Sequence, residues 1–442
     1  MQASWADLHF GSTKCQTFVS WKVSCSSTAA LGMQTPDPPL AAPIKKRMFS
    51  GTPFKHVFQV HGATLDRNVR LLVLVSWLFG YASGAYEVIF PLYLDWIGVT
   101  FGEMGILFGI TAAAIAALNI VVGAKSDVVG RKIFYAFSLA LCGAVNLLMP
   151  FFKKLWETLF LSIGQSASTS VRNAIHNVML FELTRKAFVS AYSRVNGMEY
   201  FAQALGLLGA GLILASTSFQ SAFLLSSSIL FAALVIFIFG FKEERHERKA
   251  EREDPGIDLY LPRELKIFAI SGLVMAVGFG CSHGFMTPLF FVKKFGTDKE
   301  TVSAILTLHR LSFAVPLIFA DKVLAFLKAY SSKSIVIALM IYQGISIAIT
   351  ALIPNLIPAT LLFVSHDLLA AAFWSPAQSA LIQSYCREKS RGADSSKVAS
   401  ISSIGGIAAP FLAGFLATLD ISYPFMASGI ITVLAALILL LI

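Results

Sequence analysis

YFAQALGLLGAGLILASTSFQSAFLLSSSILFAALVIFIFGF, the run from Tyr200 to Phe241, contains no charged residue. A helix crossing the hydrocarbon of a bilayer needs about 20 mostly apolar residues, so this run holds most of two crossings joined by a short turn. Ser334 to Ser365 is a second run of the same kind, and Phe134 to Phe152, Val398 to Leu419 and Ile421 to Ile442 each supply one crossing. Backbone amides in lipid are satisfied only within helices or closed barrels, and none of these runs alternates with the period of two that a barrel strand requires. The sequence therefore predicts an all-α membrane protein.

Composition leads to the same place. Of 442 residues, 56% are hydrophobic and 14% charged, with a mean hydropathy of +0.71. Soluble domains carry about a quarter charged residues, and a water-soluble globule lacks the interior volume to hide so much apolar surface. Division at charge clusters and Pro/Gly/Asn turns predicts twelve spans: 69–94, 102–123, 132–151, 156–182, 195–215, 219–241, 265–292, 300–320, 334–353, 357–384, 397–418 and 421–442.

Basic residues in short connections stay cytoplasmic. Alternate connections carry Lys125, Arg131 and Lys132; Arg185, Lys186 and Arg194; Lys322, Lys328 and Lys333; and Arg387, Lys389, Arg391 and Lys397, against only Lys153, Lys154, Lys293, Lys294 and Lys299 in the opposite set. Both termini are expected in the cytoplasm. The net charge of +10 reads as membrane topology and calls for no nucleic acid. Residues 242–264 form a charged cytoplasmic linker of mixed sign, which separates an N-terminal six-helix bundle at 67–241 from a C-terminal one at 265–442.

Internal similarity supports two copies of one unit. Phe90-Pro91-Leu92-Tyr93 matches Thr287-Pro288-Leu289-Phe290, and Gly206 to Gly211 matches Ala409 to Gly414. Residues 1–66, rich in Ser, Thr and Pro, read as a disordered cytoplasmic extension; a transit peptide and a start at Met48 are the alternatives. Cys15, Cys25, Cys142, Cys281 and Cys386 show neither disulfide nor metal spacing.

Gly123-Ala-Lys-Ser-Asp127-Val-Val-Gly130-Arg131-Lys132, between the second and third spans, resembles the G-x-x-x-D-x-x-G-R-K loop signature of the major facilitator superfamily of secondary transporters. Glycines allow a tight turn, while Arg131 and Lys132 hold it at the membrane surface. Asp127 would be stabilised by the N-terminus of the eleventh span, and the resemblance implies a latch that holds one conformation. Gly197, Gly206 and Gly211 are spaced as in the family's antiporter signature, with Leu207 where that signature has proline; a close helix-packing face explains the same glycines. Pro410 and Gly414 stand at the equivalent places in the eleventh span.

Ionisable residues inside a membrane are costly and face a cavity or a partner. Setting aside the outermost residues of each span, they are Glu87 (span 1), Arg172 (span 4), Glu199 (span 5), Arg310 (span 8) and Asp367 (span 10); spans 3, 6, 9 and 12 have none. Gln165, Ser168, Thr169, Arg172 and His176 share one helical face, as do Asp367, Trp374 and Gln378. Two such stripes in opposite halves are expected to enclose one polar passage, with Glu87 taking up and releasing the proton. An acid in span 1 with an arginine in span 4 resembles proton-coupled drug transporters of this superfamily. His283, His309, His366 and Asp367 are alternative proton or substrate groups. The competing reading is a hydrogen-bonded or ion-paired network that only fixes helix packing.

Gly280-Cys-Ser-His-Gly284 fits the hydrolase pattern G-x-S-x-G, but no strand precedes it, and no P-loop is present. The expectation is a secondary transporter, not an enzyme, moving a small-molecule substrate by alternating access with protons as coupling ion. It needs no cofactor or metal and is expected to be a monomer in the plasma membrane. The alternative is a transporter-like sensor or interaction protein without solute turnover.

Overall fold

The computed structural model describes residues 59–60, 63–64, 67–129, 131–184, 188–242, 260–318, 323, 332–387 and 391–442. Within 1–66 it describes only a small antiparallel hairpin pairing Gln59–Val60 with Ala63–Thr64. Most of that extension, most of the charged linker, Cys15 and Cys25 lie outside the described residues.

The first half consists of α1 (Arg67–Trp96), α2 (Phe101–Val129), α3 (Arg131–Leu148), α4 (Leu155–Thr184), α5 (Phe188–Ser216) and α6 (Phe219–Gly240). In the second half follow α7 (Arg263–Ser282), α8 (Met286–Phe295), α9 (Lys299–Ile318), α10 (Ser332–Thr350), α11 (Leu356–His366), α12 (Ala372–Tyr385), α13 (Arg391–Leu419) and α14 (Tyr423–Ile438). Nine helical runs among the described residues are long and apolar enough to cross a membrane, and Phe101–Ala117 is a shorter apolar helix. The helices outside that group include α4 and α9, whose polar and charged side chains lower their hydropathy and, as shown below, meet protein rather than lipid.

Two expected spans are interrupted. The seventh breaks at 283–285 between α7 and α8, where Gly284 takes a left-handed φ of 68°; Pro288, lacking an N–H, then sits in the first turn of α8, where no helical bond is lost. The tenth opens into a π-turn at Asp367–Ala371 between α11 and α12, a wide turn of the kind that clusters at functional sites. A further difference concerns the Gly123–Lys132 motif. It was expected as a loop, yet α2 stays helical through Val129 and α3 starts at Arg131.

Contacts repeat between the halves. The α1·α5 and α1·α6 pairs have counterparts in α7·α13 and α7·α14, and α3·α6 has its counterpart in α10·α14. The molecule is thus two pseudo-symmetric six-helix bundles, joined mainly through α2 against α13 and α5 against α9. Close crossings need residues without side chains: a methyl on Gly206 would run into the backbone carbonyl of Tyr81.

The two bundles meet at one end. There Gly105 and Gly414 face each other across α2 and α13, and a methyl on Gly414 would stand 2.6 Å from the Phe101 carbonyl oxygen. Gly211 packs on Ser303 of α9, Phe108 stacks on Phe285 at 4.7 Å, and Lys293 pairs with Asp95 at 2.7 Å. The one core cluster drawing residues from both halves lies here, around Phe90, Tyr93, Met286 and Phe291. The remaining clusters among the described residues each stay within one half. Among the described residues, the contacts between the bundles gather at the end bearing the connections 97–100, 296–298 and 420–422.

Candidate functional site

The amphipathic face of α4 is buried, as its period requires, and Arg172 is the largest of its members. It is only 2% exposed. Its Nη1 donates to both Glu199 carboxylate oxygens at 2.9 Å and to Asn173 Oδ1 at 3.0 Å. Nη2 donates to Ser76 Oγ at 2.6 Å and Nε to the Tyr135 hydroxyl at 3.1 Å, while the guanidinium lies 4.2 Å from the Phe79 ring centre. His176 adjoins the same network, 3.5 Å from Ser76 Oγ and 3.4 Å from the Tyr135 hydroxyl. A buried ion pair holds only when its remaining donors are satisfied, and here they are. This differs from the sequence expectation, which set Arg172 and His176 on a passage shared with Glu87. The partner that draws Arg172 away is Glu199 on α5, so both residues are enclosed within the N-terminal bundle.

Glu87 on α1 pairs instead with Arg310 on α9, across the boundary between the halves. Nη2 of Arg310 reaches the two Glu87 oxygens at 2.6 and 2.5 Å. The pair is partly open, with the Glu87 side chain 36% exposed and that of Arg310 21%. Tyr200 and Asp367 lie within electrostatic reach of Arg310, and Tyr200 makes an edge contact with Phe313 across the same boundary. This is the one ion pair formed by two of the sequence-selected intramembrane charges on opposite halves among the described residues.

Beside it, the break in the seventh span and the π-turn of the tenth bring three histidines together with an acid. Asp367 Oδ2 is 3.0 Å from His309 Nε2 and Oδ1 is 3.3 Å from His366 Nε2. The His283 ring centre lies 5.6 Å from that of His309 and 5.4 Å from that of His366. Trp374 turns away from this group, its Nε1 donating to Gln343 Oε1 at 2.5 Å, and Gln378 is half-buried on α12.

The glycines and proline selected from the sequence divide in the same way. Gly211, Pro410 and Gly414 pack at the boundary between halves, Gly206 packs inside the N-terminal bundle, and Gly197 has open space at its Cα. Arg131 pairs with Glu182, and Lys132 Nζ donates to the Phe241 carbonyl at 2.7 Å. Gly123 and Asp127 lie in the helical part of the motif, where the Asp127 side chain is outside the described ones, as is Gly130. Cys142 and Cys281 are free thiols, and both they and Cys386 are buried. Surface hollows of about 440 and 430 Å³ lie apart from the Glu87–Arg310 pair and the histidine cluster, one beside Asp95 and Asp298 at the closed end and one beside Lys132 on the outer face of α3 and α6.

Sequence reasoning selected every charge in these clusters but left their pairing open. It also passed over Tyr200 and Ser76, because a lone hydroxyl in an apolar helix carries no signal of its own.

Two six-helix bundles around buried ionisable groups define a membrane transporter. The chain belongs to the Major Facilitator Superfamily, whose model matches residues 72–365 and 268–442. Its fold is similar to that of the nucleoside transporter NupG, at a TM-score of 0.71 and 12% identity, covering 84% of this chain and 98% of that one. It is also similar to a bacterial homologue of the iron transporter ferroportin in the inward-facing state (0.67, 14%, 86% and 99%). A bacterial homologue of the human lysosomal transporter Spinster, inward-facing and occupied, scores 0.68 at 12% identity, with 84% and 95% covered. No curated protein matches the chain. It is a membrane solute transporter and not an enzyme.

Proposed function

We propose that this protein moves a small organic solute by alternating access, driven by protons, with Glu87 as the group that takes up and releases them. The observation carrying this reading is the Glu87–Arg310 pair, which ties one half to the other with both side chains partly open. A carboxylate that loses its charge also loses that tie, so protonation and the relative motion of the halves become one event. Among the described residues, Arg131, Lys132, Arg387 and Lys397 lie at the end away from the one where the bundles are joined. By the charge rule this end faces the cytoplasm, which makes the conformation inward-facing, with both termini inside and the plasma membrane as the expected location. Solved relatives named for nucleosides and for iron share the fold, so the fold supplies the motion and the side chains near Glu87 and Arg310 supply the choice of cargo.

The test is transport in proteoliposomes under an imposed pH gradient, with solutes first selected by thermal stabilisation of the purified protein from a panel of nucleosides, sugars, drugs and organic acids. Wild-type protein should accelerate with the gradient, and Glu87→Gln should lose at least ~90% of the gradient-driven component, the ten-fold that about 1.4 kcal/mol of coupling represents. Gradient-driven transport unchanged by Glu87→Gln would eliminate Glu87 as carrier. Binding of a panel solute with no flux in either protein would favour a sensor.

A further inference from the structure

Glu87 and Arg310 account for one charged pair, but not for the adjoining histidines. His283 at the end of α7, His309 on α9 and His366 at the end of α11 each place a ligating nitrogen within 4.8 Å of those of the other two. The Nε2 atoms of all three are buried and lack a hydrogen-bond partner. Two of the rings are held from behind. Nδ1 of His283 lies 3.1 Å from the Phe279 carbonyl oxygen and 2.8 Å from Ser282 Oγ, and Nδ1 of His366 contacts the Phe363 carbonyl. A carbonyl accepts only, so the proton of each ring belongs on Nδ1, and Nε2 is left as a bare lone pair directed into the cluster. Anchoring of the far nitrogen on a backbone carbonyl is how ligating histidines are oriented. Stacking fixes the ring planes further: His283 on Phe279 at 3.9 Å and His309 on Phe363 at 4.6 Å.

Lone pairs converging in a buried space repel one another unless a cation stands between them. Asp367 supplies the negative charge, with its two oxygens near His309 and His366 at ion-pair distance but outside hydrogen-bond geometry. Arg310, next in the chain to His309, would oppose a cation, but Glu87 neutralises it at 2.5–2.6 Å. We infer that His283, His309, His366 and Asp367 form a binding site for one divalent transition-metal ion of the zinc type. Three imidazoles and one carboxylate match the donor preference of zinc, cobalt(II) or iron(II), and hard cations such as magnesium and calcium, which want oxygen ligands, are excluded. Ligand nitrogens spread over 4.8 Å must draw in by about 1 Å on metal binding to reach metal bonds of about 2.1 Å. The site is contained in the C-terminal half, so it stands whether or not Glu87 carries protons.

Full-length protein, purified in detergent and stripped of metal, is titrated with Co²⁺, whose visible absorption reports a low-coordinate nitrogen and oxygen site. One Co²⁺ per chain should bind, give that band and be displaced by Zn²⁺. His283→Gln and His366→Gln should each weaken binding at least ~10-fold. X-ray absorption at the zinc edge of loaded wild-type protein, which depends on no variant, should show imidazole scattering. Absence of bound metal, an undiminished band in both folded variants, or a zinc spectrum of sulfur or oxygen ligands alone would overturn the assignment. Stoichiometric Co²⁺ binding by wild-type protein whose pH-driven transport survives Glu87→Gln would uphold this site while overturning the proton reading.

Discussion

Glu199→Ala is expected to destabilise the protein by about 3–5 kcal/mol, the cost of leaving a buried charge without its partner. Arg172 is 2% exposed and its Nη1 spends two bonds on Glu199, so the variant strands a guanidinium among Phe79, Tyr135 and Ser76. The melting temperature of the detergent-purified protein should fall sharply. Arg172→Met combined with Glu199→Leu removes both charges with similar volume and should recover most of the loss, because replacing a buried pair by apolar side chains is often neutral. Transport by the double variant then decides what the pair is for. Near wild-type flux fits a packing network; a stable double variant without flux would show that Arg172 takes part in the transport cycle, contrary to its enclosure here.

The second large effect belongs to Gly414. A side chain there meets the Phe101 carbonyl at 2.6 Å and Gly105 Cα at 2.7 Å, closer than non-bonded carbon approaches either atom. Backbone on both sides cannot yield, so Gly414→Leu must hold α2 and α13 apart at the closed end. Moving a two-state equilibrium from 99:1 to 1:99 takes about 5.5 kcal/mol, which a clash with rigid backbone readily exceeds. Stability of each bundle should change little, since the contact lies between bundles. Transport should fall at least ~100-fold, about 2.7 kcal/mol. Spin labels at Thr100 and Asp420, both exposed near that rim, should report longer distances in the variant. An unchanged distance distribution with normal flux would show that the closed end does not form during the cycle as it stands here.

Much of the molecule was readable before any coordinates. Twelve spans, their pairing into two halves and the small residues at close crossings follow from the hydrocarbon's demand that every backbone polar group be satisfied inside the chain. The charges were equally visible, since a membrane interior makes each one conspicuous. What was misread is instructive. The seventh and tenth spans were expected to be continuous; the first breaks around Gly284 and the second opens at Asp367, and both departures are single-turn effects that hydropathy averages away. Glu87 and Arg172 were linked only by a family resemblance, with Arg310 an equal candidate; the structure joins Glu87 to Arg310.

The sequence by itself determined that this is a two-bundle helical membrane transporter and which side chains are too costly to be there without a partner, because lipid penalises each unsatisfied group wherever it sits in the fold. Only the tertiary structure decided who partners whom. Arg172 with Glu199, Glu87 with Arg310, and three histidines with Asp367 are choices among charges of the same kind, and helix rotation and the contact between halves make those choices through distances that no period or spacing along one chain contains.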